Sequence, residues 1–466
     1  MTDVTVPKAR LRIAIIGSGP SGFYTADFLL RRSDVVAEVD VFDRLPTPYG
    51  LVRAGVAPDH PNIKSVTKVF EKVAAREGFR FFGNVEVGRD VSVAELRERY
   101  DAVVAAYGTA TERRLGVPGE DLSGSHAASE LVAWYNGHPD FADHAFDLSA
   151  KRAVVIGNGN VAADVARMLA LSPAELSATD AADHAIARLA DSGIEEIVVM
   201  GRRGPAQAAF TNPEVRELGE LAQADVVVDP ADVRLDAASA AYLASTDCDP
   251  AHRRNVEMFT EFSERAPGGK PKRVRLRFAS FPVEIRGDGH VESIVIGRSE
   301  LRADLSGRVQ AHDTGEREEL ACGLVFRSIG YLGVGLEGFP FDGSLGRIPN
   351  QDGRVIEPAT GDQIPGLYAV GWIKRGPSGV IGTNRKDAAD TVETLLRDWD
   401  AGRIPAPAID APPIEKLLIE RGIEYVTYAG WQAIDAAEQA AGAPQGRPRV
   451  KLCRVDEMLC AARTVG

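Results

Sequence analysis

Short apolar runs that end in glycine alternate along the chain with stretches of helical periodicity. Residues 11–16 (Leu-Arg-Ile-Ala-Ile-Ile) read as a buried strand, a glycine turn follows, and 21–32 read as a helix. Residues 38–43 (Glu-Val-Asp-Val-Phe-Asp) read as a second strand. That order is a βαβ opening and implies a parallel sheet. A later strand is predicted over 100–106, ending in Gly108. The pattern then restarts: a strand over 152–156, a glycine turn over 157–162, a helix over 161–171 and a strand over 195–200. Two units of one design in one chain predict an α/β protein with two domains.

The remaining segments are less regular. Residues 205–277 carry helical patterns and a basic stretch. Residues 274–286 and 291–298 read as antiparallel strands around a Gly287-Asp288-Gly289 turn. Residues 323–330 read as a buried strand, and 366–371 as a strand feeding a glycine-rich loop and a helix from 384. The proline-rich segment 404–413 reads as a linker or surface crossing before a mostly helical tail.

The two glycine turns carry the chemistry. Gly17-Ser18-Gly19-Pro20-Ser21-Gly22 is G-x-G-x-x-G between a strand and a helix. The first glycine permits the tight turn, the second lets backbone approach a pyrophosphate, and the third allows close helix–strand packing. The helix N-terminus then offers free N–H groups to phosphates. Asp43 ends the second strand, where a carboxylate accepts hydrogen bonds from ribose hydroxyls. Gly157-Asn158-Gly159-Asn160-Val161-Ala162 repeats the turn as G-x-G-x-x-A. Here the acceptor position reads Gly201-Arg202-Arg203-Gly204, with no carboxylate. Guanidinium groups bind phosphate oxygens bidentately, so paired arginines suit the 2′-phosphate of NADP(H). Opposite charge at the two sites implies two nucleotides: a tightly held flavin and an exchangeable nicotinamide. Hydride then passes from nicotinamide to flavin, and the flavin releases electrons singly.

Composition narrows the setting. The 466 residues allow two or three domains, and 44% hydrophobic with 26% charged residues fits a globular protein. The net charge of −13 argues against generic nucleic-acid binding. The four cysteines, Cys248, Cys322, Cys453 and Cys460, form no C-x-x-C pair. That spacing disfavours a disulfide scaffold, a ligated iron–sulfur cluster and a redox dithiol, and the thiols read as inert packing residues in a reducing, cytoplasmic compartment. The apolar run before Gly17 is too short for a signal peptide, and no later stretch reaches the length of a membrane span.

Residues 46–61 (Pro-Thr-Pro-Tyr-Gly-Leu-Val-Arg-Ala-Gly-Val-Ala-Pro-Asp-His-Pro), Arg80–Val85, Gly157–Val161, Gly201–Phe210 and Gly371–Asn384 together resemble the adrenodoxin reductase group of ferredoxin–NADP⁺ reductases, nearest its actinobacterial NADPH-ferredoxin reductases. The resemblance runs from about residue 10 to about residue 450. It implies two Rossmann-like, doubly wound, three-layer domains of the glutathione-reductase and adrenodoxin-reductase type. A discontinuous FAD domain would hold 1–108 and 331–466, and an NADP domain 109–330. It places FAD against Gly17, Ser18, Gly19, Pro20, Ser21, Gly22, Asp43, Leu51, Val87, Trp372, Gly379, Val380 and Ile381, and NADP(H) against Asn158, Gly159, Asn160, Val161, Arg202, Arg203, Glu214 and Gly379. Family members often have Glu where this chain has Asp43, and many related flavoproteins have Gly-Asp in place of Gly371-Trp372.

The activity so implied is NADPH-dependent reduction of ferredoxin, with diaphorase activity on artificial acceptors and no metal. Hydride transfer is mainly a positioning problem. The resemblance puts His60 and Glu217 near the reacting rings, with Asp59 beside His60 to tune it. Glu214 and Glu217 share one helix face. An acidic ferredoxin needs a basic patch to dock on. Two stretches qualify: Lys64, Lys68 and Lys72 as one helical stripe, and the run from Lys270 to Arg277. A monomer is the default expectation, with neither nucleic acid nor membrane as partner. Three rival readings share parts of this pattern. A glutamate synthase subunit would need a cysteine-rich N-terminal module, and a thioredoxin reductase a C-x-x-C near the flavin; the sequence has neither. A nucleotide-binding redox sensor would bind both nucleotides without turnover.

Overall fold

The structure is a computed structural model that describes residues 10–304 and 309–465. The chain divides into two compact units: the described residues of Met1–Val56, His60–Thr111 and Tyr331–Gly466, and those of Ala57–Asp59 and Glu112–Gly330.

The first unit is built on a seven-stranded sheet. Its strands lie in the order Asn350–Gln351, Arg354–Ile356, Gln363–Ala369, Ala102–Ala105, Arg10–Ile16, Val36–Phe42 and Phe79–Phe82. From Gln363–Ala369 onward all pairs are parallel, while the Asn350 and Arg354 strands add an antiparallel edge. Both faces of the sheet are covered, because successive side chains of Arg10–Ile16 enter different cores. Leu11, Ile13 and Ile15 pack with Phe23, Phe70 and Leu395. Ala14 and Ile16 pack with Phe42, Leu96 and Val103. A strand buried on both faces must be apolar almost throughout, which is why Leu-Arg-Ile-Ala-Ile-Ile shows no clean alternation.

The second unit has a six-stranded, wholly parallel sheet in the order Ser125–Ala127, Leu324–Arg327, Arg152–Ile156, Glu196–Met200, Lys272–Arg277 and Ala224–Val228. A three-stranded antiparallel sheet, Ser280–Arg286, Ser293–Ala303 and Val309–Ala321, belongs to the same unit. Residues 274–286 are not one strand: Lys272–Arg277 joins the parallel sheet and Ser280–Arg286 the antiparallel one. The chain turns between them at Ala279, whose φ is +48°.

The predicted helices at 21–32 and 161–171 run Pro20–Leu30 and Asn160–Ala170, and the helix expected from 384 begins at Ile381. Among the described residues no helix is long and apolar enough to cross a membrane.

Candidate functional site

Each unit places a glycine turn at the carboxyl end of its central strand, where the strand order reverses and doubly wound sheets bind ligands. The two turns are built alike. Gly17 N donates to Phe42 O at 2.8 Å, and Gly157 N donates to Met200 O at 2.8 Å. Both first glycines take a positive φ, +107° and +143°. Each lies against the strand end across the reversal: a Cβ on Gly17 would sit 2.7 Å from Ala106 O, and one on Gly157 2.1 Å from Ser328 O. No L side chain fits either position.

In the first unit, a Cβ on Gly22 would lie 2.1 Å from Gly17 O, whereas one on Gly19 would meet nothing within 4 Å. The third glycine is thus needed for packing, and the second faces open space. Pro20 starts the helix at its first position, where a missing N–H costs nothing. Asp43 braces the turn: its Oδ2 accepts from Ser18 N at 3.0 Å and Ser18 Oγ at 2.5 Å, and its Oδ1 from Leu45 N at 3.0 Å. Burial raises the Asp43 pKa, and those hydrogen bonds only partly offset it. A carboxylate has about four acceptor sites, so these three donors leave one for a ribose hydroxyl.

Two loops meet this turn. Tyr49, at φ +85°, donates its N–H to Ser18 O at 3.0 Å and delivers Leu51, which is exposed. Gly371 packs so tightly on Ser21 that a Cβ would lie 2.0 Å from Ser21 Oγ. Its N–H is held by Asp387 Oδ2 at 2.6 Å. Trp372 follows, stacked on Tyr331 with ring centroids 5.6 Å apart, and its buried Nε1 donor has no partner. Ser21 Oγ donates to Asn384 Oδ1 at 3.1 Å, which ties the helix Pro20–Leu30 to the helix Ile381–Asp400 near its start. Gly379 and Val380 lead into that second helix, exposed, and Ile381 is half-buried. Val87 is buried.

In the second unit, Asn160 Oδ1 accepts from Thr211 N at 2.8 Å and Asn158 O from Ala209 N at 2.8 Å, so the turn is pinned to residues 209–211. Asn158 Nδ2 is buried without a partner. A Cβ on Gly159 would find its nearest neighbour only at 3.9 Å, and Val161 is half-buried. Arg202 and Arg203 are both exposed, and among the described residues neither guanidinium makes an ion pair. Burial and the neighbouring Arg202 charge lower the pKa of Arg203. Two unpaired, mutually repelling cations are arranged for an anion.

The remaining predicted residues gather on a cation that the sequence reading missed. Arg167, with its side chain 4% exposed, reaches Asp59, Asp164 and Glu214. Glu217, on the same helix as Glu214, lies 3.4 Å from its Nη1. Burial lowers the Arg167 pKa, but these carboxylates outweigh it and the net shift is upward. His60 caps the short helix Pro61–Lys64 and is half-buried.

The two basic stretches differ. Lys64 ends one helix while Lys68 and Lys72 lie on another, Thr67–Ala74, so the expected stripe is split. Lys68 and Lys72 are exposed. The run from Lys270 to Arg277 is only partly free: Lys270 and Arg273 are exposed, but Lys272 Nζ donates to Leu169 O at 2.7 Å, Arg275 pairs with Glu196 and Arg277 with Glu318. Cys322 and Cys453 have thiols pushed up to about 12 and about 11 by burial. Cys460 is exposed and so is not a packing residue.

The family model described as pyridine nucleotide-disulphide oxidoreductase matches residues 11–202. The NADPH-ferredoxin reductase FprA of Mycobacterium tuberculosis is 51% identical, over 96% of this chain and 98% of that protein. The mitochondrial NADPH:adrenodoxin oxidoreductase of Arabidopsis thaliana is 40% identical, over 97% and 95%. The structure of Mycobacterium tuberculosis FprA in complex with NADPH superposes with a TM-score of 0.91, at 50% identity over 97% of this chain and all of that one (100%). Matched over nearly its whole length to these relatives, the chain belongs to the adrenodoxin reductase-like family of ferredoxin–NADP⁺ reductases.

Proposed function

We propose that the protein oxidises NADPH and delivers single electrons to a ferredoxin, working as a ferredoxin–NADP⁺ reductase. FAD, when bound, supplies the conversion of a hydride into two single electrons. The observation that carries this reading is the pairing of two equivalent glycine turns with opposite acceptor charges, Asp43 in one unit and Arg202 with Arg203 in the other.

The residues fit both nucleotides. In the first unit, backbone at Gly19 is open to a pyrophosphate, with Ser18, Pro20 and Ser21 around it and the partial positive charge of a helix N-terminus behind it. Asp43 has acceptor capacity left for ribose. Trp372 Nε1 is a buried donor that a flavin acceptor would satisfy. Leu51, Val87, Gly379, Val380 and Ile381 line the same ligand. In the second unit, Asn158 Nδ2 is a second unsatisfied donor. Gly159, Asn160 and Val161 would hold the dinucleotide, and Arg202 with Arg203 would clamp the 2′-phosphate. Glu214 is fixed by Arg167 and positions the nicotinamide end, with Gly379 near that ring. His60 and Glu217 orient the nicotinamide, and Asp59 sets the neighbourhood of His60. These assignments make the first unit the FAD domain and the second the NADP domain.

Ferredoxin docks over Lys68 and Lys72, two exposed cations on one helix, on a monomeric cytoplasmic enzyme. The test is NADPH-driven reduction of an added iron–sulfur ferredoxin, followed through cytochrome c. Turnover that requires ferredoxin supports the reading. NADPH oxidation with ferricyanide but none with any ferredoxin would remove the carrier and leave a diaphorase. No oxidation with either acceptor would favour a nucleotide sensor.

A further inference from the structure

Among the described residues of the second unit, one group of side chains converges with metal-ligand chemistry. His126 lies in the strand Ser125–Ala127 that leads into the helix Ala128–Tyr135, Glu130 lies in that helix's first turn, and His144 comes from the loop beyond Phe141. Their ligating atoms all lie within 4.8 Å of one another. We propose that His126, Glu130 and His144 form a binding site for a divalent transition-metal ion, zinc foremost, with water completing the shell.

Three features carry this. The first is spacing. His126 Nδ1 and Glu130 Oε2 are 3.6 Å apart, too far for a hydrogen bond. That is close to the separation of about 3.3–3.5 Å between two ligands held tetrahedrally at roughly 2.0–2.1 Å from zinc. A polar cluster that served only itself would close to hydrogen-bond distance; this one leaves room for an ion at its centre.

The second is orientation. Phe146, 1% exposed, stands 4.8 Å from the His126 ring and 4.7 Å from the His144 ring, centroid to centroid. Phe326 also stacks on His126, with ring centroids 5.9 Å apart. Glu130 is anchored by Ala127 N, which donates to Oε2 at 3.2 Å. Rings fixed by packing and a carboxylate fixed by a backbone donor are preorganised ligands, as metal sites require. The site is also half-shielded, with His126 15% and Glu130 31% exposed.

The third is ligand type. Two imidazoles and one carboxylate make the borderline donor set that zinc and its neighbours prefer, while calcium and magnesium prefer all-oxygen shells. The ion would clip residues 136–146 to the start of the helix.

The test uses tag-free holoenzyme, stripped with chelator and dialysed against zinc chloride. One tightly held zinc per chain and a raised melting temperature are expected. Loss of even an outer partner costs such sites about 10–100-fold in affinity, so His144→Ala and the isosteric Glu130→Gln should each lose at least about 100-fold. Neither variant should rise in melting temperature with zinc. His290→Ala, which removes an exposed histidine 3.5 Å from Glu292, should bind as the parent does. No stoichiometric zinc in the parent would overturn the proposal, and so would unchanged binding in folded Glu130→Gln.

Discussion

Arg167 Nε donates to Asp59 Oδ2 at 2.6 Å while its Nη1 donates to Glu214 Oε2 at 2.9 Å, so one buried guanidinium holds two acids that are 155 residues apart. Arginine's planar fork suits this task, whereas a lysine ammonium is a compact point charge that cannot reproduce the fork. Removing the cation strands buried carboxylates, which costs about 3–5 kcal/mol. Arg167→Leu should therefore unfold at markedly lower urea concentration than the parent. Arg167→Lys should recover only part of the loss. If Glu214 positions NADPH, both variants should also raise the KM for NADPH, with KM for ferredoxin as the internal control.

Gly19 separates cofactor binding from folding. Its missing Cβ faces open space, while those of Gly17 and Gly22 face backbone oxygens at 2.7 and 2.1 Å. Gly19→Val should fold with a near-native melting temperature in the flavin-free form but lose FAD on gel filtration. Gly22→Val should fail to fold. Equal FAD content in Gly19→Val and the parent would show that no pyrophosphate approaches there.

The turn motifs, the strands that feed them and the Arg202–Arg203 pair were legible in the sequence because each is local. A strand, a positive-φ glycine and a helix start fall within a dozen residues, and packing has little say in them. What escaped was non-local. Arg167 looks like one more polar residue of a helix until Asp59 and Glu214 arrive from distant segments. The break that sends Lys272–Arg277 to one sheet and Ser280–Arg286 to another sits at Ala279, a residue type that gives no hint of a positive φ. That Lys272, Arg275 and Arg277 of the basic run are engaged was hidden, because their partners, the Leu169 carbonyl, Glu196 and Glu318, come from a helix end and other strands.

Docking on Lys68 and Lys72 predicts a selective defect. Surface charges act mainly on association rate and its salt dependence. Lys68→Glu with Lys72→Glu should lower kcat/KM for ferredoxin about 10-fold or more at low salt, an effect of about 1.4 kcal/mol or more. Ferricyanide reduction should stay unchanged. A defect of equal size with both acceptors would place the fault in the nucleotide half-reaction.

Two sets of acids give stability opposite pH slopes. Asp398, with no side-chain exposure, accepts from Arg354, Arg403 and Tyr368, and Glu438 from Arg53 and Arg449. Burial raises both pKa values, but the cationic and hydrogen-bonding partners win and hold both below the usual carboxylate range. Glu95 is lowered to about 2, chiefly by Arg421. A depressed folded pKa contributes stability that is full above the unfolded value of about 4 and is lost as pH falls through the folded value. Glu112 is the reverse: burial raises it to about 7, against the Ser129 N–H that it accepts. Its contribution is present below about pH 4 and is lost as pH rises towards 7. Urea unfolding from pH 2 to 8 should show a steep loss below about pH 4.5 that Asp398→Asn flattens, and a gentler decline towards neutrality that Glu112→Gln removes.

Hydride entry from NADPH is the step on which the proposed activity depends, and anaerobic mixing of the oxidised holoenzyme with NADPH or NADH tests it most directly. The visible flavin band should bleach much faster with NADPH. Arg202→Ala with Arg203→Ala should erase most of that preference, since charge-assisted contacts to phosphate are worth about 1.5–3 kcal/mol each, or roughly 10–150-fold. A protein that takes up no FAD, or a flavin that NADPH and NADH reduce at the same rate, would contradict the account.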